Sequence, residues 1–144
     1  MRKCFIILLI MTACSPLLIS CRQSEPLAPL QPIVTLLSPS NGDTLKSGDI
    51  EVRIYLQNFT LITGTGQPNE ANKGHAIYYF DVTPPLKAGS TAVTSEGTYA
   101  VSNETSHTWP NVPPGQHTFT VQLVNNDNTP FLSPAAVRAT VTVN

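Results

Sequence analysis

The chain has 144 residues, of which 12% are charged and 41% hydrophobic, with 13 prolines, 8 glycines and a formal net charge of −1. That length predicts one domain, because domains most often run about 100–150 residues. So little positive charge excludes the basic patch that nucleic acid or an anionic lipid surface demands of a ligand-binding face.

The first twenty residues do not fit such a domain. Arg2 and Lys3 precede an apolar run from Cys4 to Ala13. That run is too short to cross a bilayer, which takes about 20 apolar residues, and has the layout of a signal peptide. Leu18-Ile19-Ser20-Cys21 resembles the bacterial lipobox, after whose cleavage the cysteine becomes a lipid-bearing N-terminus; Met11-Thr12-Ala13-Cys14 is a weaker second match. Simple secretory cleavage would leave an unpaired thiol in an oxidising compartment, which favours lipidation of Cys21. All three cysteines lie at or before position 21, so the remainder can hold neither a disulfide nor a cysteine-based zinc site. Without residues 1–20, six basic residues face nine acidic ones, a net charge of −3. Membrane attachment is therefore expected from the lipid on Cys21 alone, as an anchor and not a span. The resemblance implies an envelope location, and Arg22 in place of the aspartate that retains lipoproteins at the inner membrane favours an outer-membrane address in a Gram-negative cell.

Residues 21–32 contain Pro26, Pro29 and Pro32 without a periodic apolar face, and read as a semi-rigid spacer. From residue 33 to 144 the pattern becomes short strands separated by turn residues, with no helix of consequence. Strands are expected at Ile33–Leu37 and Ile50–Asn58, the latter alternating Ile50, Val52, Ile54 and Leu56 with polar residues. A Gly-rich connection, Leu61–Lys73, leads into a strand at 75–82 whose two rows are Ala76, Tyr78, Phe80, Val82 and His75, Ile77, Tyr79, Asp81. Gly64-x-Gly66 is a loop, because no helix start follows it to present amides to a phosphate. Short strands are expected at Thr91–Thr94, Thr98–Val101 and Thr105–Trp109. A strong one follows at Gln116–Asn125, then a loop over Asn126–Pro134 and a last strand carrying Val137, Ala139, Val141 and Val143 on one face.

About seven such strands predict an all-β domain, an immunoglobulin-like antiparallel sandwich without the Cys-Trp-Cys hallmark of antibody domains. In that fold the 75–82 strand takes the place of strand C and the 116–125 strand that of F, its antiparallel neighbour. His75 then meets the 125–131 loop at one pole. His117, leaving the Pro113-Pro114-Gly115 turn at the other, is expected to close that corner with a hydrogen bond. His107 has no obvious partner, and Trp109 reads as core.

Gly74-His75-Ala76-Ile77-Tyr78-Tyr79, Pro114-Gly115-Gln116-His117-Thr118-Phe119 and Asn125-Asn126-Asp127-Asn128-Thr129-Pro130 together resemble uncharacterised secreted β-sandwich domains of bacteria and archaea. These carry Gly-His-x-His-Tyr-Tyr, Pro-Gly-x-His-Thr-Phe and Asn-Asn-Asp-His-Thr-Pro. The resemblance implies a fold and an envelope location but no activity. Two histidines on one strand face plus a third from the loop would suit zinc or copper. Here Ile77 and Asn128 stand in two of those places, so His75 is expected to be structural and no metal or other cofactor is expected.

The sequence offers no catalytic motif such as Gly-x-Ser-x-Gly or Ser-x-x-Lys. The expectation is accordingly a non-catalytic lipid-anchored module that binds a protein or glycan partner, not nucleic acid, through His75, Tyr79, Asp81, Asn126, Asp127 and Asn128. A structural spacer without a dedicated ligand and a degenerate metal-binding domain are the alternatives.

Overall fold

The computed structural model describes residues 30–63 and 66–144. The expected signal peptide, Cys14, Cys21 and most of the expected proline-rich spacer lie outside them.

Nine strands and no helix form the described chain: β1 (Ile33–Ser38), β2 (Thr44–Leu45), β3 (Gly48–Gln57), β4 (Thr60–Leu61), β5 (Lys73–Phe80), β6 (Tyr99–Ser102), β7 (Ser106–Val112), β8 (Gly115–Val124) and β9 (Pro130–Val143). One sheet has the order β1-β3-β7; in the other, β2, β9, β8 and β5 are successive neighbours, and β4 and β6 both pair with β5. β1, β3 and β7 thus take the places of immunoglobulin strands A, B and E, and β5, β8 and β9 those of C, F and G. Two of the nine strands are only two residues long. Without them the count is the expected seven.

Period-2 alternation explains which side chains meet between the sheets. Ile50, Val52 and Ile54 of β3 face Ala76 and Tyr78 of β5, Phe119, Val121 and Leu123 of β8, and Val141 and Val143 of β9, all buried. Fully burying each large side chain of that set contributes about 1.5–3 kcal/mol. An aromatic layer closes the core: Phe80 lies 5.4 Å from Trp109 and 5.5 Å from Phe119, ring centre to ring centre. His107, expected to be partnerless, belongs to the same layer, 5.4 Å from Tyr78 and 4.8 Å from Trp109. Burial there pushes its pKa below the ordinary histidine value. Pro110 interrupts β7, which pairs only with β3 and so loses no ladder bond on its open side.

Three expectations are corrected. Thr91–Thr94 is not a strand. Residues 82–98 instead form a strap across the outer face of β5, where Ile77, Tyr79, Ala92 and Val124 make a second buried cluster with Val82 and Tyr99. β5 is therefore buried on both faces, and its outer row of His75, Ile77 and Tyr79 is covered, not open. Finally, β9 begins at Pro130, inside the stretch expected to be a loop, because Val124 pairs with Pro130 while Leu123 pairs with Ala135; the four residues between, 131–134, bulge out of the ladder.

Candidate functional site

β5 and β8 run antiparallel with His75 opposite Val124 and Phe80 opposite Phe119, so the loops before β5 and after β8 share one pole. The chain enters there too. Asn72 Nδ2 donates to the Leu30 carbonyl at 2.8 Å and Asn58 Nδ2 to that of Gln31 at 3.3 Å.

The turn after β8 is locked by its own side chains. Thr129 donates to Asp127 Oδ1 through its hydroxyl at 2.6 Å and its backbone N–H at 3.1 Å, and Asn125 Nδ2 donates to the Thr129 carbonyl and hydroxyl, both at 3.1 Å. Asn128 takes the left-handed φ of 58° that the turn needs and that asparagine tolerates. Asn69 joins the two loops by donating to Asp127 Oδ2 at 2.8 Å and accepting from the Asp127 N–H at 3.2 Å. These bonds, led by that from the Thr129 hydroxyl, hold the Asp127 carboxyl below its ordinary pKa.

Of the residues expected to form a site, His75, Asn126, Asp127 and Asn128 gather at this pole, but two of them are fully enclosed. His75 is 3% exposed with Nδ1 lacking a partner among the described residues, and Asn126 is 0% exposed. Asn126 Nδ2 donates to the Gln67 carbonyl at 2.5 Å, so this residue fastens one loop to the other. Gly74 makes the junction possible: a Cβ there would lie 1.9 Å from the Val124 carbonyl oxygen.

Tyr79 and Asp81 sit elsewhere. The Tyr79 hydroxyl, under the strap, lies 2.8 Å from the Ala92 carbonyl and 2.9 Å from Gln122 Oε1, while Gln122 Nε2 donates to the Pro85 carbonyl at 3.1 Å. Burial raises the pKa of this phenol above its ordinary value, which keeps it a donor. Asp81 stands beyond the far end of β5, with φ 54°, and accepts from the Thr118 N–H and from the His117 ring, each at 2.7 Å. The other His117 nitrogen lies 2.9 Å from the Pro113 carbonyl, and the ring stacks on Phe80 at 5.1 Å. His117 thus closes the corner at the opposite pole, as its place after the Pro-Gly turn predicts. Among the described residues no three His, Cys, Asp or Glu side chains come together as a metal site.

What the sequence pattern did not reveal is the shape of the entry pole. An open cleft of about 610 Å³ lies there between Asn72, Ala88, Thr129 and the bulge at 131–134. Leu132 at the bulge tip is 93% exposed. Phe131 beside it turns inward to meet Phe59 edge-on at 5.8 Å, so the bulge is anchored on one side and apolar on its free side. Phe131-Leu132 between Pro130 and Pro134 was the available signal, an apolar pair inside a stretch of turn formers.

No protein-family model matches the chain, and no curated protein matches it. Among solved structures, the crystal structure of an engineered protein is similar over 81% of this chain, with 16% identity and a TM-score of 0.43. The match spans 21% of that protein's length, and a likeness of this degree carries no argument about function.

Proposed function

We propose that the protein is a non-catalytic cell-envelope lipoprotein, anchored through Cys21, that binds a protein or glycan partner with its entry pole. The observation that carries this reading is the cleft of about 610 Å³ beside Leu132, a leucine exposed at 93% on a bulge held by otherwise locked loops. Rigid loops on a sandwich that present an apolar tip and amide-rich walls are the usual form of a recognition surface. Asp127 and Asn128 line the same pole as polar contacts; His75 and Asn126 serve it from beneath, by holding the loops.

An anchor at Cys21 turns this pole towards the membrane, because Leu30 enters the sandwich there. The intervening eight residues reach about 25 Å at most when extended, at about 3.1 Å each. The partner is therefore one that lies on or projects from the same membrane.

The test places a photo-crosslinking residue at Ser133, in the wall of the same cleft, in cells and compares Leu132→Asp and Asp127→Ala variants that carry the same crosslinker. A discrete crosslinked band that both variants weaken supports binding. Its absence, with envelope stability unchanged in the variants, supports the second reading, a spacer, which is favoured by the opposite placement of Leu30 and the end of β9. Anchoring is tested separately: a Cys21→Ser chain that still carries lipid mass and partitions into detergent refutes Cys21 as the site, and a Cys14→Ser chain should keep both.

A further inference from the structure

The strap covers the β5 half of the outer sheet face but leaves the β9 half open. On that half Thr120 of β8 stands opposite Arg138 of β9, and Thr118 opposite Thr140. Val82, Pro84 and Leu86 at the start of the strap rise beside them as a wall, and a cavity of about 340 Å³ lies between wall and sheet. That volume is at the lower end of those that hold small molecules.

The polar groups in the cavity are unevenly used. Asp81, at its edge, has both carboxylate oxygens engaged by the Thr118 N–H and His117. Arg138 makes no ion pair among the described residues, whereas Arg53 pairs with Glu51 at 3.6 Å and Lys73 with Glu70 at 2.7 Å. Thr120 is 5% exposed, yet its hydroxyl takes no part in the hydrogen bonds among the described residues. Thr118 shares its hydroxyl with Thr140 at 3.2 Å and keeps an accepting or donating position. A free guanidinium and a free hydroxyl thus lie across one pair of strands, in a domain of net negative charge.

We infer that this cavity binds a small organic carboxylate, its anionic end on Arg138 and Thr120 and its apolar body against Val82, Pro84 and Leu86. A planar guanidinium matches a carboxylate with two parallel N–H bonds. Phosphate or sulfate fits the chemistry less well, because a compact anion leaves the apolar wall in water and finds one cation only. The wall is fixed before any ligand arrives: Gln122 Nε2 holds the Pro85 carbonyl and the Phe80 N–H donates to the Thr98 carbonyl at 3.0 Å, which limits the ordering that binding must impose. The site lies on the open sheet face, away from the entry pole, and is independent of any partner held there.

Isothermal titration of the full chain in mild detergent tests this with three probes: cyclohexanecarboxylate, the uncharged cyclohexylmethanol and inorganic phosphate. Saturable binding of the carboxylate, weaker by at least about tenfold for each of the other two probes, is the expected result. Arg138→Gln should lose about tenfold or more and Thr120→Val several-fold, with unchanged thermal unfolding, since Arg138 is exposed and supports nothing else. Leu86→Ser should weaken the carboxylate but leave phosphate as it was. Equal binding of phosphate and carboxylate overturns the assignment of ligand class. No saturable heat with the carboxylate, or an Arg138→Gln chain that binds it as wild type does, overturns the site itself.

Discussion

Replacing Gly74 by alanine tests whether the contact between the two loops at the entry pole holds the sandwich together. The new Cβ would lie 1.9 Å from the Val124 carbonyl oxygen and 3.0 Å from the carbonyl carbons of Val124 and Asn125. All three are backbone atoms, so no side-chain rotation relieves the clash, and the strands must part by roughly 1.1 Å to reach even 3.0 Å. His75 and Val124 face each other at this point, so parting them strains the β5–β8 ladder at its first rung. Overpacking of this kind costs about 1–3 kcal/mol, and each weakened ladder bond about 0.5–1.5 kcal/mol more. Against this, alanine gains about 0.4–1 kcal/mol from the unfolded chain. The net expectation is a loss of about 2–3 kcal/mol, or about 10 °C in Tm for a domain of this size. Gly42→Ala is the control: its φ of +88° is strained for alanine, but its Cβ meets nothing within 4 Å. It should cost about 1 kcal/mol. Urea unfolding followed by fluorescence of the single tryptophan, Trp109, measures both. If Gly74→Ala unfolds at the same midpoint and slope as Gly42→Ala, the contact is not what holds this pole.

Other perturbations follow from the same geometry. Tyr79→Phe removes the donor shared by the Ala92 carbonyl and Gln122 Oε1, and should cost about 1–3 kcal/mol. Hydrogen exchange at the Ala92 amide should accelerate while that at Val121 changes little, and equal protection in both proteins would show that the strap does not depend on the phenol. Asp81→Ala should lose about 2–3 kcal/mol, because it abandons two acceptors and a left-handed φ; Asp81→Asn should lose less, since the amide keeps an oxygen for the Thr118 N–H and asparagine tolerates that backbone. Equal losses by urea titration would refute this division. His107 has a folded pKa lowered by burial, so below about pH 6.5 the unfolded chain binds more protons than the folded one, and stability from this residue falls as pH drops towards the folded value. Asp127, lowered by its hydrogen bonds, adds a later loss of the same sign as pH falls through its own folded value. A urea midpoint measured from pH 8 to pH 3 should therefore decline in two limbs, and His107→Gln should flatten the first; an unchanged first limb in that variant would dismiss the role of His107.

Alternation was enough to place β3, because a strand with one buried face writes its period into the sequence, whereas β5 and β8, buried on both faces along most of their length, were legible as strand-length runs rich in aromatic and β-branched residues. The corner at His117 was legible for a related reason: the Pro-Gly turn fixes where β8 starts, so the ring has one place to go. Asp81 misleads because it shares a row with His75 in a strand, yet six residues at about 3.3 Å each put them about 20 Å apart, at opposite poles. Gln122 misleads in another way. It sits among polar residues on what reads as a solvent face, but is 0% exposed because the strap covers it. The strap itself, rich in Pro, Gly, Ser and Thr, has no periodicity, and its position is set by partners distant in sequence. Neither the Leu132 cleft nor the Arg138 cavity can be read without it or the bulge. The start of β9 was hidden by Pro130 and Pro134, both turn signals that the bulge accommodates inside a strand.

The passage of the chain from one pole to the other has a mechanical consequence. β2 runs parallel to β9, with Thr44 beside Thr142 and Leu45 beside Val143, and five bonds tie the two segments: from the N–H groups of Gly42, Thr142, Ser47 and Asn144 to backbone carbonyls, and from the Thr140 N–H to Asn41 Oδ1. A pull between the entry pole and the end of β9 acts along these strands, so the five bonds are loaded together in shear instead of peeling one after another. Tension across the domain therefore meets its strongest resistance at a pair of strands only two residues deep in formal pairing.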